Sequence, residues 1–301
     1  MHLLNFKELH SQELTQIVDT AITIKNDPQK YAKNLRGKTA ALVFQKTSTR
    51  TRVSFEVAMT QLGGHSLFLE WRTTNFTMAD LSDESEYLSR NVDCIIARLL
   101  YNSDLNNIAK NSHVPVINGC DEKYHPSQAI ADLITIKEKK GKLSGAKLVY
   151  VGVHNNVTNS LIEACTKTGV NITTVCPIFN ETSRDNELLN DAEKTGLWES
   201  TLDLKNAVSE ADFVYTDTWV DMEFFRDTKY AKEKEERIKL MMPYQINTEL
   251  LKDTNAYVMH DMPIHRGYEI TADVIENSKS VIYEQAENRL YSAKAILLKL
   301  V

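Results

Sequence analysis

A run of strand-forming residues, Thr39 to Phe44, leads into Gln45-Lys46-Thr47-Ser48-Thr49-Arg50-Thr51-Arg52, where hydroxyl and guanidinium side chains crowd the start of a helical pattern. The first turn of a helix has unpaired backbone N–H groups and the positive end of the dipole, so hydroxyls and arginines placed there make a cradle for a phosphate. The competing reading is a plain N-cap at Ser48 or Thr49 with its arginines in solvent. The stretch is not a P-loop, because its glycines and the Gly-Lys-Ser/Thr ending are missing. Arg98 closes a second strand-like run, Val92 to Ala97, and His125-Pro126-Ser127-Gln128 opens a helix after a third, Val114 to Asn118. Taken singly, these are an arginine at a strand end and a polar tetrapeptide. Taken together they can hold a phosphate and donate hydrogen bonds to a carbonyl oxygen that gains negative charge.

These residues converge only if the strands lie parallel with their carboxyl ends on one edge. The chain alternates short β-branched runs with stretches of helical spacing, which predicts parallel sheets joined by right-handed crossovers. The first series ends with a helix from Pro126 to about Lys140, where Pro126 suits the first turn and Ile130, Leu133 and Ile134 line one face. After Gly141-Lys142-Leu143-Ser144-Gly145 a second series predicts strands at Lys147–Val153, Asn171–Cys176, Phe213–Thr216 and Ala256–His260, and Glu284 to Leu300 reads as one amphipathic helix. The expected fold is α/β: two doubly wound parallel-sheet domains with the active site in the cleft between them. The expected division is 1–141 and 142–283, with the helix at about 284–301 packed back on the first unit. At 301 residues the chain has the length for two such units.

The motifs then resemble those of the aspartate/ornithine carbamoyltransferase family, the ornithine branch most closely. Ser48-Thr49-Arg50-Thr51-Arg52 is similar to its carbamoyl phosphate signature and His125-Pro126-Ser127-Gln128 to its His-Pro-x-Gln motif. Asn155-Asn156, Asp217-Thr218-Trp219, His260-x-x-Pro263 with His265-Arg266-Gly267, and Ala286-Glu287-Asn288-Arg289 follow in the family's order. The resemblance implies a cytoplasmic homotrimer of two-domain subunits, working in arginine biosynthesis, that moves a carbamoyl group from carbamoyl phosphate to a small amine or amino acid, ornithine-like, with no metal and no organic cofactor. It implies carbamoyl phosphate binding by Ser48, Thr49, Arg50, Thr51, Arg98, His125, Gln128 and Arg289, with Thr51, Arg98 and His125 stabilising the tetrahedral oxyanion. It implies acceptor binding by Asn156, Asp217, Asp221, Met222, Asp261 and Met262.

On the acceptor side the sequence departs from the family. His-Cys-Leu-Pro is His260-Asp261-Met262-Pro263 here, and Asp-x-Trp-x-Ser-Met-Gly is Asp217-Thr218-Trp219-Val220-Asp221-Met222-Glu223. A carboxylate beside the attacking nitrogen raises the amine's pKa and holds it as ammonium, the wrong state for a nucleophile. Either Asp261 is a general base, or Asp217, Asp221 and Asp261 together accommodate an acceptor with added positive charge, or ornithine transfer is lost; the plain reading is that Asp221 and Asp261 face solvent or a neighbouring basic residue. The loop Glu70 to Met78, which in the family reaches into the neighbouring subunit's site, also departs, with Thr74 or Asn75 as the candidate polar contact, Arg72 as the candidate cation, and Trp71 and Phe76 as candidate packing residues at a subunit interface. Val153-His154 stands where the family has Asp-Gly, and His154 receives no role.

Bulk properties exclude other classes. A net charge of -6 provides no basic field for nucleic acid or an anionic membrane. Neither a secretory leader pattern nor a run of about eighteen apolar residues occurs. Cys94, Cys120, Cys165 and Cys176 are scattered without CxxC spacing, which predicts reduced thiols rather than a disulfide scaffold or zinc site. A dinucleotide-binding oxidoreductase would need GxGxxG after a strand, and none is present. A carbamoyl phosphate-binding protein without turnover is the competing class, against which Arg98, His125, Gln128 and Arg289 count.

Overall fold

The structure, a computed structural model, describes residues 1–220, 229 and 231–301. Its first sheet contains β1 (Thr39–Phe44), β2 (His65–Glu70), β3 (Cys94–Arg98) and β4 (Val116–Cys120) in the order β2-β1-β3-β4. Its second contains β5 (Lys147–His154), β6 (Asn171–Phe179), β7 (Trp198–Ser200), β8 (Phe213–Thr216) and β9 (Tyr257–His260) in the order β7-β6-β5-β8-β9. Every pairing in both sheets is parallel. The fold class is the expected one, α/β with two doubly wound parallel sheets. Burial along β1, β3 and β4 does not alternate, because helices cover both faces.

The strand order reverses between β1 and β3 in one sheet and between β5 and β8 in the other. At such a switch point the loops leave the carboxyl ends in opposite directions and open a crevice. The residues following β1, β3, β5 and β8 are the predicted cradle, Leu99, Asn155 and Asp217. The helices are α1 (Ser11–Asn26), α2 (Thr49–Gln61), α3 (Leu81–Ser89), α4 (Asn102–Lys110), α5 (Pro126–Lys140), α6 (Asn156–Thr168), α7 (Asn186–Thr195), α8 (Leu204–Ser209), α9 (Ala231–Met241), α10 (Thr248–Leu251), α11 (Ala272–Ile275) and α12 (Ile282–Leu300), of which α1, α5, α6 and α12 pack on one another between the sheets. Side chains from α1, α5, α6 and α12 form one continuous buried core under both sheets, with Leu14, Ile130, Leu161 and Ile296 fully enclosed. Ser48 caps α2 by accepting the Thr51 N–H at 3.1 Å, and Gly63, at φ +87°, supplies the left-handed residue just after it.

The N-terminal segment crosses from one sheet to the helix behind the other. Leu3 donates to Val116 O beside β4, and the Phe6 N–H donates to the Glu163 carboxylate of α6 at 2.9 Å. Burial pushes the Glu163 carboxyl up to about 7 despite that hydrogen bond. A carboxyl with a raised native pKa holds its proton in the fold after the unfolded chain has lost it, so stability falls as pH rises from about 4.5 to 7. Glu163→Gln keeps an oxygen for Phe6 and removes this loss. Its advantage over the wild type in urea unfolding is expected to grow by up to about 3 kcal/mol between pH 4 and pH 8. Parallel pH dependence of the two proteins would contradict the assignment.

Candidate active site

The carboxyl ends of both sheets face a cleft of about 400 Å³. On one wall the first turn of α2 presents Ser48, Thr49, Arg50 and Thr51, with Arg98 from the end of β3, His125 from the N-cap of α5 and Arg289 from α12. Thr51 is fully buried, and its Oγ1 accepts from Arg289 Nη2 at 2.9 Å and stands 3.5 Å from Arg98 Nη1. With its lone pairs directed at two guanidiniums, the hydroxyl proton is left to donate into the cleft. Arg289 Nη1 donates to Gln128 Oε1, and Arg98 Nε and Arg289 Nε are buried without partners among the described residues. Burial, followed by repulsion from Arg50, lowers the Arg289 guanidinium to about 10. Burial likewise lowers Arg50, partly offset by Asp261. Such a cluster gains most from a dianion.

The same cations act on His125. Burial, then Arg289, Arg98 and Arg50, drive its pKa well below the ordinary imidazole value, so the ring is neutral. Ser127 Oγ lies 3.4 Å from Nδ1, and a hydroxyl donated there assigns the ring proton to Nε2. A neutral imidazole N–H is a hydrogen-bond donor for a carbonyl oxygen at any pH above that lowered value.

The opposite wall comes from the second sheet. Asp217 follows β8 and Asp261 follows β9, and both line the cleft with Met262. Asp217 accepts from Asn155 Nδ2 at 2.7 Å and from the Thr218 N–H at 2.6 Å. Burial and the Asp261 charge raise its carboxyl well above the usual range. Burial works against the Asp261 charge too, but His260, the hydrogen bond with Asp217 and the Arg50 guanidinium outweigh it. The pair therefore shares one proton, held by Asp217, and carries one negative charge. Met262 has φ 59°, a strained left-handed conformation for this residue, and its N–H donates to His260 Nδ1 at 2.8 Å. Asp261 and Glu269 push the buried His260 ring up to about 9 against its burial. On its other side the ring donates from Nε2 to Glu269 at 3.1 Å. Ligand atoms of Asp217, His260 and Asp261 lie within 4.8 Å of one another. With both His260 nitrogens engaged, that trio has no imidazole lone pair for a metal.

Comparison with known proteins gives the cleft its context. Residues 1–138 match the sequence model described as aspartate/ornithine carbamoyltransferase, carbamoyl-P binding domain, and residues 144–300 match the Asp/Orn binding domain of the same family. The chain belongs to the aspartate/ornithine carbamoyltransferase family. As a member it is a carbamoyltransferase. It is similar to the ornithine carbamoyltransferase of Thermococcus kodakarensis, at 43% identity over 98% of this chain and 94% of that one. A Bacillus cereus ornithine carbamoyltransferase is 40% identical over 99% and 93%. The solved Pyrococcus furiosus structure superposes with a TM-score of 0.89 at 41% identity, covering 98% and 95%, and the Thermus thermophilus one with 0.87 at 34%, covering 99% and 98%.

Of the family residues carried over from sequence, Ser48, Thr49, Arg50, Thr51, Arg98, His125, Asn156, Asp217, Asp261, Met262 and Arg289 line this one cleft. Gln128 stands behind it, fully buried against Arg289. Asp221 and Met222 lie outside the described residues. Asn156 is turned toward the phosphate-side wall, where its Nδ2 donates to Asp121 O at 2.5 Å, while Asn155 holds Asp217. Asn155 thus has the more direct hold on an acceptor-side residue, a role not singled out from sequence although it sits in the same motif. His154 stacks on Phe179 at 4.1 Å and bonds to Asn159 Oδ1 at 2.8 Å, a packed position. Trp71 and Phe76 stack on each other at 5.0 Å, and Arg72 is exposed beside Glu70.

Proposed function

We propose that this carbamoyltransferase moves the carbamoyl group of carbamoyl phosphate to the side-chain amine of ornithine or a close analogue, releasing phosphate. The observation that carries the reading is the pairing of walls: three guanidiniums with Thr51 and a neutral His125 on one side, and a singly charged carboxyl pair opposite. In this reading residues 1–141 and the returning α12 bind carbamoyl phosphate, and residues 142–283 bind the amine. The relatives that bear the name ornithine carbamoyltransferase support ornithine as the acceptor.

The dianionic phosphate lies against the first turn of α2 and against Arg50 and Arg98, while Arg289 spans Thr51 and Gln128. The amine nitrogen attacks the carbamoyl carbon, and the carbonyl π electrons move onto oxygen, where Thr51 O–H, Arg98 and His125 Nε2–H take up the charge. Collapse re-forms the carbonyl and breaks the bond to the phosphate oxygen. The departing phosphate takes the amine proton. No step uses a metal or cofactor.

Asp261 favours a second reading, an acceptor with one more positive charge, because it adds a carboxylate where the family resemblance has cysteine. We also place the protein in the cytoplasm as a homotrimer. Among the described residues no helix is long and apolar enough to cross a membrane. The half-exposed edge strand β2, with Leu67 and nearby Val53 open to solvent, supports a subunit contact on that side. The test offers carbamoyl phosphate with ornithine, lysine, putrescine, agmatine, aspartate or N-acetylornithine and identifies ureido products by mass spectrometry. Saturable product with ornithine is expected, preference for agmatine would support the second reading, and binding without product from any amine would overturn transfer.

A further inference from the structure

One buried carboxylate beside the cleft belongs to neither wall. Asp132 lies in α5, one turn beyond Gln128, and is completely enclosed. Its Oδ1 accepts from two carboxamides, Gln128 Nε2 at 2.8 Å and Gln285 Nε2 at 2.7 Å, and its Oδ2 is buried without a partner among the described residues. A carboxamide that donates through nitrogen on one side presents its oxygen on the other. Gln128 therefore turns Oε1 to Arg289 Nη1, and the second nitrogen of that guanidinium reaches Thr51. Gln285 turns Oε1 to the backbone N–H of His260 at 2.8 Å, at the last residue of β9 and immediately before Asp261.

Hydrogen bonds thus run from Thr51 through Arg289, Gln128, Asp132 and Gln285 to His260. They join the phosphate wall to the acceptor wall through the protein interior. Flipping either carboxamide would set its NH2 against another donor, the Arg289 guanidinium in one case and the His260 amide in the other. Buried donor–donor contacts of that kind leave both groups unsatisfied. Burial pushes the Asp132 carboxyl up to about 7 against the two carboxamide hydrogen bonds, so the oxygen acceptor is kept at a cost in charge burial.

We propose that Asp132 is a positioning residue for carbamoyl transfer: a single carboxylate oxygen sets the orientation of Gln128 and Gln285, and through them fixes Arg289 and the Asp261-Met262 turn relative to each other. The inference rests on the reading of the cleft as the transfer site. It makes Gln285, which touches neither wall's ligand-facing groups, a support for the acceptor side alone, and Asp132 a support for both.

The test is steady-state kinetics of the full chain with both substrates varied, for the wild type, Asp132→Asn, Asp132→Leu and Gln285→Leu, with thermal melting of each. Asparagine keeps an oxygen where both carboxamides need it, so both KM values are expected to stay within about threefold of the wild type. Asp132→Leu is expected to raise both KM values about tenfold, the scale of one lost buried hydrogen bond. Gln285→Leu is expected to raise the acceptor KM about tenfold and leave that of carbamoyl phosphate within about twofold. Lowered melting temperatures with unchanged KM values would make the network merely structural and overturn the proposal. So would equal impairment of the Asn and Leu variants, which would assign the effect to charge. Should Asp132→Leu not fold, the KM split in Gln285→Leu decides alone. A wild type that makes no ureido product would overturn the reading of the site, and this inference with it.

Discussion

Arg98→Ala is expected to lower kcat/KM for carbamoyl phosphate by about a thousandfold, and Arg50→Ala by a comparable factor, with little change in melting temperature. The size follows from what each guanidinium does in the reaction. Arg98 stands at the end of β3 beside Thr51; in the proposed reaction it meets the phosphate in the ground state and the oxyanion in the transition state. A charge-assisted hydrogen bond in a water-poor cleft contributes about 2–4 kcal/mol to the transition state, and the dianion loses a countercharge as well. Stability is expected to hold because the fold asks little of these side chains. The Arg98 contact with Thr51 is long at 3.5 Å, and removing one cation relieves repulsion on Arg50 and Arg289, which share the cluster. Kinetics and thermal melting of each variant check both halves. Full activity in either variant would remove that arginine from the site.

Asp261→Cys is expected to raise kcat with ornithine at neutral pH about tenfold and to move the rising limb of the kcat–pH profile down by about one unit. The amine must lose its proton before it attacks, and a carboxylate nearby stabilises the ammonium form. Asp261 keeps its charge in the cleft, since His260, Asp217 and Arg50 hold its carboxyl below the usual range despite burial. Its removal lowers the pKa of the bound amine, so more acceptor is nucleophilic at a given pH. The sign separates this role from general-base catalysis, in which the same substitution would lower kcat by about a hundredfold. Profiles of kcat against pH at saturating ornithine for both proteins decide between them. An unchanged profile and unchanged acceptor preference would place Asp261 outside acceptor selection.

Much of this architecture was legible because the strongest sequence signals are local. Thr39–Phe44, Phe213–Thr216 and the Pro126–Lys140 helix have the predicted limits, since a dense apolar run or a helix with proline at its start and glycine after it marks both ends. The strands read as Val92–Arg98 and Val114–Asn118 begin two residues later, at Cys94 and Val116, and the second continues to Cys120. β2 went unread because it is a half-exposed edge strand that starts directly after Gly63-Gly64, so its period is weak and its beginning looks like loop. β7 has three residues, too few for any period. In the site, the Ser48–Arg52 cradle, Arg98 and the His125–Gln128 turn could be named from their chemistry, and Arg289 and the acceptor-side residues through the family resemblance. Asp132 and Gln285 could not, because within a helix a lone polar residue gives no sign of the partner it meets from another element. The shared proton of Asp217 and Asp261 depends on a meeting of two loops 44 positions apart, which no local pattern encodes.

The most direct measurement follows the carbamoyl carbon itself. Carbamoyl phosphate labelled with carbon-13 is mixed with ornithine and the wild-type protein, and carbon and phosphorus NMR are recorded together, with Arg98→Ala as the comparison. The expected result is transfer of the label to a ureido carbon on the acceptor's side-chain nitrogen, with one phosphate released per carbon transferred and about a thousandfold slower conversion in the variant. Label that appears only as spontaneous decomposition products, at the same rate with and without protein, would contradict carbamoyl transfer to ornithine by this cleft.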